Sequence, residues 1–298
     1  MPSAIWRVVP ALVHQVLVHQ ALALLALVLQ VQTPHTGVQS AITNVIKNGI
    51  PVKNMIMKLF DTDIKYSPGQ YLESFKIEKV IGEGRFGICY LITDDKNLHI
   101  LKQLKKKMYN VNPQKVYYEE KILKSLKHEG IPRFIRKIED SGLTGYVLEY
   151  KQGITLEAMI FDQRHVFTRD EIYYIGKQLI NILNYLHGEG IVHRDIRVPN
   201  VLFNGNSVYL VDFGSARWID NKKYKADIDF SYFGDFLIHL YYTSFTDKPY
   251  KDKAWYEELV LSSKELIFLK KLMGIEKRYK SINEVEIDFE EIFYNSKK

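Results

Sequence analysis

The stretch His193-Arg194-Asp195-Ile196-Arg197-Val198-Pro199-Asn200 is followed, twelve positions beyond Asn200, by Asp212-Phe213-Gly214. Between them two apolar runs, Val201–Phe203 and Val208–Val211, flank Asn204-Gly205-Asn206, the residue types of a hairpin turn. An aspartate can accept the proton of an attacking hydroxyl, and an amide oxygen five residues later can ligate a divalent cation. A second aspartate after the hairpin can bridge metals. Two acidic groups and an amide oxygen suit a hard cation that stays partly hydrated, as Mg²⁺ does. Taken singly, His-Arg-Asp reads as a surface ion pair and Asp-Phe-Gly as a turn. Their order, their spacing and the hairpin between them argue against both.

Upstream lies Gly82-Glu83-Gly84-Arg85-Phe86-Gly87-Ile88-Cys89, between strand-like runs at Phe75–Val80 and Ile88–Thr93. A dinucleotide loop of this pattern would run from a strand into a helix, and a Walker loop would need Gly-Lys-Ser/Thr. What remains is a glycine-rich hairpin whose backbone can approach phosphates because no Cβ intervenes; an ordinary hairpin turn is the plain alternative. Lys102 ends His-Ile-Leu-Lys in a third strand, Leu98–Leu104, and Glu119 follows seventeen residues later. A lysine reaching phosphate oxygens needs a carboxylate to hold its flexible stem. Read alone, each is a solvated surface residue.

Asn112 and Pro113 form a helix start, a capping side chain before proline at the first helical position. Glu119, Ile122, Leu123 and Leu126 recur behind them at helical spacing. Another strand runs over Tyr146–Tyr150, and a long helix over Arg169–His187 with Ile172, Ile175, Leu179, Ile182, Leu183 and Leu186 on one side. After Asp229 the pattern is helical. A strand-rich first part and a helix-rich second part predict an α+β chain of two lobes. The expected organisation is a leader over 1–56, a linker over 57–70, a first lobe over 71–150 and a second over 151–298.

With this motif set in order, residues 71–298 resemble the eukaryotic-type (Hanks-type) protein kinases, which also occur in bacteria. The resemblance implies a small antiparallel sheet lobe and a mainly helical lobe around a cleft that binds ATP and Mg²⁺. It places Gly82, Gly84 and Gly87 over the ATP phosphates, with Ile81 and Cys89 beside the nucleotide. Lys102 contacts the α- and β-phosphates and pairs with Glu119. Leu148 falls at the gatekeeper position, and Glu149-Tyr150-Lys151 where the hinge binds adenine. Asp195 is the catalytic base, Arg197 steadies the γ-phosphate, and Asn200 and Asp212 hold Mg²⁺. Gln178–His187 resembles the helix before the catalytic loop. Asp229–Gly234 resembles the segment that opens the next large helix, with Ser231 where a tryptophan is usual.

The chain departs from the family after Gly214. Only fourteen residues separate Gly214 from Asp229, and no Ala-Pro-Glu closes the activation segment. Arg278 resembles the arginine that pairs with that missing glutamate, so it is either an orphan or has found Asp227 or another acid. The arginine of His-Arg-Asp often meets a phosphorylated loop in the family. Here Arg194 is expected to meet Asp220 or Asp227, or no fixed partner, with no loop phosphate required. The expected partner is a protein substrate phosphorylated on serine or threonine, on family frequency. A pseudokinase scaffold and a small-molecule kinase of the aminoglycoside or choline type are the alternatives.

The chain has 298 residues, is 46% hydrophobic and 26% charged, and carries a net charge of +6. Arg7, Lys47 and Lys53 account for three of those charges, leaving about +3 beyond them, too little to argue for nucleic acid. A single cysteine, Cys89, excludes an intrachain disulfide framework and fits a reducing compartment. Cys89 is read as a packed side chain rather than a nucleophile, Tyr173-Tyr174 and Tyr241-Tyr242 as packing aromatics, and Lys105-Lys106-Lys107 as a solvated loop. Arg7 is the only charged side chain before Lys47, and residues 8–31 are long enough to cross a bilayer. Three readings stand for this leader: a membrane anchor, a soluble appendage helix, or an upstream stretch before a true start at Met55 or Met57. As an anchor it would leave the kinase domain on the cytoplasmic side.

Overall fold

The computed structural model describes residues 63–84, 86–94, 96–106, 113–140, 143–246 and 253–294. The leader and its readings lie outside these residues, as does Asn112. No helix among the described residues is long and apolar enough to cross a membrane.

The first lobe is a six-stranded antiparallel sheet in the order β1-β2-β3-β4-β6-β5. Its strands are β1 (Tyr71–Leu72), β2 (Phe75–Glu83), β3 (Gly87–Thr93), β4 (Leu98–Leu104), β5 (Phe134–Asp140) and β6 (Leu143–Glu149). Period-two alternation sets the faces: Ile88, Tyr90 and Ile92 of β3 are buried and pack with Ile77 of β2, Leu101 of β4 and Val147 of β6. Cys89 pairs with Lys102, and Lys102 with Tyr146, so the lysine stands mid-strand on the opposite face. At Gly87 a Cβ would come within 2.4 Å of the Gln103 carbonyl oxygen, so a side chain there would force β3 and β4 apart. One helix, α1 (Pro113–Ser125), joins this lobe and buries Ile122, Leu123 and Glu119.

Ile154–Thr155 (β7) then leads into the second lobe. It comprises α2 (Leu156–Phe161), α3 (Arg169–Gly188), β8 (Ile191–Val192), β9 (Val201–Phe203), β10 (Val208–Leu210), β11 (Arg217–Trp218), α4 (Asp227–Tyr242), α5 (Trp255–Glu258), α6 (Ser263–Met273) and α7 (Ile282–Tyr294). Helix α3 starts on a capping box: the Glu171 amide donates to Thr168 Oγ1 at 3.3 Å and the Thr168 amide to Glu171 Oε2 at 2.8 Å. The apolar stripe of α3 is buried from Ile172 to Leu186. Phe289 of α7 lies 5.8 Å from the Tyr173 ring and 6.1 Å from Phe233 of α4, centroid to centroid, which fastens α3, α4 and α7 together. β9 and β10 form the expected hairpin, and β7 joins it as a third strand. β8 pairs with β11, Val192 opposite Arg217 and Ile191 opposite Trp218.

Strand β2 runs three residues further than its sequence pattern, to Glu83, because pairing with β3 carries it into the glycine loop. Strand β5 has no clear signal in Phe-Ile-Arg-Lys-Ile-Glu-Asp, whose charges dilute the alternation; its register on β6 defines it. Helix α4 opens two residues before Asp229, and the helical run beyond it is broken by loops into α5, α6 and α7.

Candidate active site

Lys102 Nζ lies 2.5 Å from Glu119 Oε1 and 2.6 Å from Asp212 Oδ1. The lysine comes from β4, the glutamate from α1, and the aspartate from the turn after β10, so one ammonium ties three elements. Lys102 is 8% exposed and Glu119 4%. Burial alone would weaken the lysine's hold on its proton, but Glu119, with Tyr146 and Asp212 behind it, keeps the ammonium well above the usual lysine range. The Lys102 charge holds the Asp212 carboxyl down to about 2, against its burial and helped by hydrogen bonds from Lys102 and Gly214. Asp212 sits in the left-handed region at φ 59°, a conformation disfavoured for a side-chain-bearing residue. It is retained where the Gly214 amide donates to Asp212 Oδ1 at 3.3 Å. Tyr146 places a buried hydroxyl beside Glu119; burial, first, and that carboxylate keep it protonated.

A second cluster forms around Asp195. Arg197 Nε lies 2.6 Å from Asp195 Oδ1, and Asn200 Nδ2 donates to Asp195 Oδ2 at 3.0 Å and to its backbone oxygen at 2.9 Å. The Val211 amide donates to the Asn200 carbonyl at 2.9 Å, which sets Asn200 beside the start of Asp212-Phe213-Gly214. The His193 and Phe213 rings meet edge to face at 4.7 Å. Burial lowers the His193 pKa, so this imidazole stays neutral. Among the described residues no donor reaches Asn200 Oδ1 or Asp212 Oδ2. An amide oxygen and a carboxylate oxygen therefore remain open, the donor set a hard divalent cation takes.

The loop that carries Asp195 hangs on Asp229 of α4, which is 0% exposed. Asp229 Oδ1 accepts the Arg194 amide at 2.7 Å; Oδ2 accepts the His193 amide at 2.9 Å and faces His187 Nε2 at 3.0 Å. Sequence marks Asp229 and His187 as positions of interest, yet nothing in their spacing shows that one carboxylate holds two backbone amides of another segment.

At the other edge, the Glu149 amide donates to the Arg133 carbonyl at 2.9 Å. Its carboxylate takes Arg133 Nε at 3.1 Å and Lys151 Nζ at 3.1 Å. Gly82 and Gly84 have open space where a Cβ would stand, and Ile81 is half exposed beside them. Burial pushes the Cys89 thiol up to about 11, which matches a packed side chain rather than a nucleophile. Glu83, inside the glycine loop, takes Lys65 Nζ and Lys105 Nζ, each at 2.7 Å. Lys105 is thus more than a solvated loop residue: it ties the end of β4 to the loop. Arg278 is no orphan; its Nη1 lies 3.8 Å from Asp227 Oδ2. The expectation for Arg194 fails in part: Asp220 spends its Oδ1 on backbone amides, and Arg194 faces the Tyr224 ring instead.

The candidate catalytic and metal-binding residues thus gather in the Lys102–Glu119–Asp212 cluster and the adjoining Asp195–Arg197–Asn200 cluster, with the glycine loop joining β2 to β3 and Glu149 and Lys151 at and just beyond the end of β6. Residues 75–244 match the protein kinase domain family model. The chain is 33% identical over 240 residues to a probable serine/threonine-protein kinase of Bacillus subtilis, covering 77% of this chain and 93% of that one. It is 30% identical over 158 residues to a serine/threonine-protein kinase of Caenorhabditis briggsae, 51% of this chain and 13% of that one. It is 32% identical over 148 residues to an Aurora kinase of Yarrowia lipolytica, 48% of this chain and 40% of that one. With its motif clusters assembled on a two-lobed α+β fold, the chain belongs to the protein kinase domain family.

Proposed function

We propose that this chain transfers the terminal phosphoryl group of Mg·ATP to a serine or threonine hydroxyl of a protein. The observation that carries the reading is the buried Lys102 ammonium pinned between Glu119 and Asp212. A lysine fixed in this way presents a point charge to phosphate oxygens without losing side-chain freedom on binding. Gly82 and Gly84 leave the backbone of the loop open to the triphosphate, and Gly87 lets the loop's end lie against the Gln103 carbonyl of β4. Ile81 and Cys89 border the nucleotide, and the stretch from Glu149, at the end of β6, to Lys151 receives the base. Asn200 Oδ1 and Asp212 would hold Mg²⁺, which when bound neutralises phosphate charge. Asp195 accepts the proton of the incoming hydroxyl. Arg197, which touches Asp195 in this structure, supplies a cation on the γ-phosphate side. Little covalent chemistry is asked of the protein; positioning and charge neutralisation do the work.

The test is transfer of labelled γ-phosphate from Mg·ATP by the full chain to itself or to a generic protein, beside Asp195→Asn. Wild-type incorporation with loss of at least a hundredfold in the variant is the expected result. Equal, negligible incorporation in both points to a scaffold, and transfer confined to a metabolite panel points to a small-molecule kinase. The single cysteine, which can form no intrachain disulfide, fits a reducing, cytoplasmic compartment. Membrane attachment through residues 8–31 is tested by whether the full chain sediments with membranes and a chain starting at Met57 does not.

A further inference from the structure

Arg194 is the cation next to Asp195, and among the described residues no carboxylate pairs with it. Its backbone sits in the left-handed region at φ 66°, held there by the bond from its amide to Asp229 Oδ1. Its Nη1 donates to the Ser215 carbonyl at 3.1 Å, and its Nε is buried without a hydrogen-bond partner. The guanidinium carbon stands 4.6 Å from the centroid of the Tyr224 ring, within reach for a cation on an aromatic face.

Tyr224 is brought there by a turn of its own making. Asp220 Oδ1 accepts the amides of Lys222, Lys223 and Tyr224 at 2.9, 2.8 and 2.8 Å. The Asp220 amide closes the loop on the Tyr224 carbonyl at 3.1 Å. Just upstream, β11 is paired to β8, and the Ile219 amide donates to the Gly190 carbonyl at 2.7 Å. The segment's two acids are therefore engaged elsewhere, Asp220 with this turn and Asp227 with Arg278. Lys223 Nζ also lies 5.3 Å from the Tyr224 ring. Lys223 hydrogen-bonds the Tyr224 hydroxyl as well, so the tyrosine stands between two cations.

We propose that the Tyr224 ring is a positioning residue for Arg194: by stacking on the guanidinium it closes the short activation segment against the Asp195 loop, with no phosphate on the segment. This rests on the kinase reading above. Only the ring face meets Arg194, so the hydroxyl, which meets Lys223, is dispensable for this contact.

The experiment uses the full chain treated with phosphatase, intact mass confirming that no phosphate remains. Turnover of a generic protein substrate, ATP affinity and thermal midpoint are compared for wild type, Tyr224→Phe and Tyr224→Leu. Expected are a phosphate-free wild type that turns over, a Phe variant within about twofold of it, and a Leu variant slower by roughly threefold to thirtyfold. ATP affinity stays unchanged in all three, a split that a general folding defect would not give. Arg194→Met combined with Tyr224→Leu costs no more than the worse single change, because the two act as one contact. A Phe variant as slow as Leu, a Leu variant as fast as wild type, additive losses in the double variant, or loss of turnover on phosphatase treatment would each overturn the proposal. A Leu variant that fails to fold leaves the Phe and phosphatase arms to decide. A wild type with no turnover before phosphatase treatment defeats the kinase reading instead.

Discussion

Asp229→Asn exchanges one atom at a fully buried carboxylate that serves three partners. As a carboxylate it accepts from the Arg194 amide at 2.7 Å and the His193 amide at 2.9 Å, and pairs with His187 at 3.0 Å. An asparagine has one acceptor oxygen and one NH₂ group, so one face must turn a donor toward a donor. The least costly orientation keeps the oxygen on His193 and His187 and sets NH₂ against the Arg194 amide. That forfeits one charge-assisted bond, worth about 1.5–3 kcal/mol, and leaves two buried donors facing each other, about 1–3 kcal/mol more. A total near 4 kcal/mol lowers the melting midpoint by roughly 10 °C for a unit of this size. It also frees the Arg194 backbone from its strained φ and lets Asp195 drift, so turnover falls by a further factor of about ten or more. Denaturant unfolding and steady-state kinetics at a temperature well below the variant's midpoint measure the two effects separately. A stability loss under about 1 kcal/mol with unchanged turnover would refute the claim that this carboxylate organises the loop.

Glu119→Gln removes the closest partner of Lys102 but leaves Asp212 at 2.6 Å; kcat/KM for ATP should fall by about tenfold to a hundredfold, and an unchanged value would count against the pinned-lysine reading. Gly176→Ala on α3 drives a Cβ to within 2.4 Å of Phe289 Cζ, a ring already enclosed by Tyr173, Phe233 and Phe268. The overpacking should outweigh the helix-propensity gain and cost about 1–2 kcal/mol in urea unfolding with turnover intact; a stabilised variant would contradict it. His193 is held neutral by burial, so its pKa is lowered in the folded state. Above about pH 6.5 neither state binds its proton and it adds no pH dependence; below that the unfolded chain alone is protonated. Stability should therefore fall with pH below 6.5, by at most about 1.4 kcal/mol per pH unit from this site, with His128, also lowered by burial, adding to the slope. A flat stability profile between pH 6.5 and 5 would exclude a neutral His193.

What was legible in the sequence is what chemistry fixes by residue type and spacing. Asp195, Asn200 and Asp212 sit on short segments joined by a hairpin, so local chain geometry alone brings them near one another, and the hairpin residues announce it. Lys102 and Glu119 were legible only as a pair, because neither differs from a surface residue until the strand and helix around them meet. Tertiary contacts that join unrelated segments carried no such signal. Strand β5 is defined by β6 and hardly by its own side chains. Glu83 between Lys65 and Lys105, and Tyr146 beside Glu119, depend on which faces of the sheet end up together, and one residue of register would separate them.

The shortened activation segment shows how the chain replaces a missing anchor. In the resembling family the arginine at the Arg278 position pairs with the glutamate of Ala-Pro-Glu. Here its partner is Asp227, at 3.8 Å, with both side chains well exposed. An exposed ion pair at that distance is worth well under about 1 kcal/mol, so it cannot be what holds the segment. The hold must come from contacts removed from water or made by backbone: the β8–β11 pairing, the Ile219–Gly190 bond and the three amides gathered by Asp220. These keep both ends of the segment close to the Asp195 loop, since Gly190 and β8 lead directly into His193 and Tyr224 ends on Arg194. A short segment can still be ordered, because its backbone fastenings lie within its own turn and on the chain leading into the catalytic loop, while Arg217 and Trp218 pack against Tyr118 of α1.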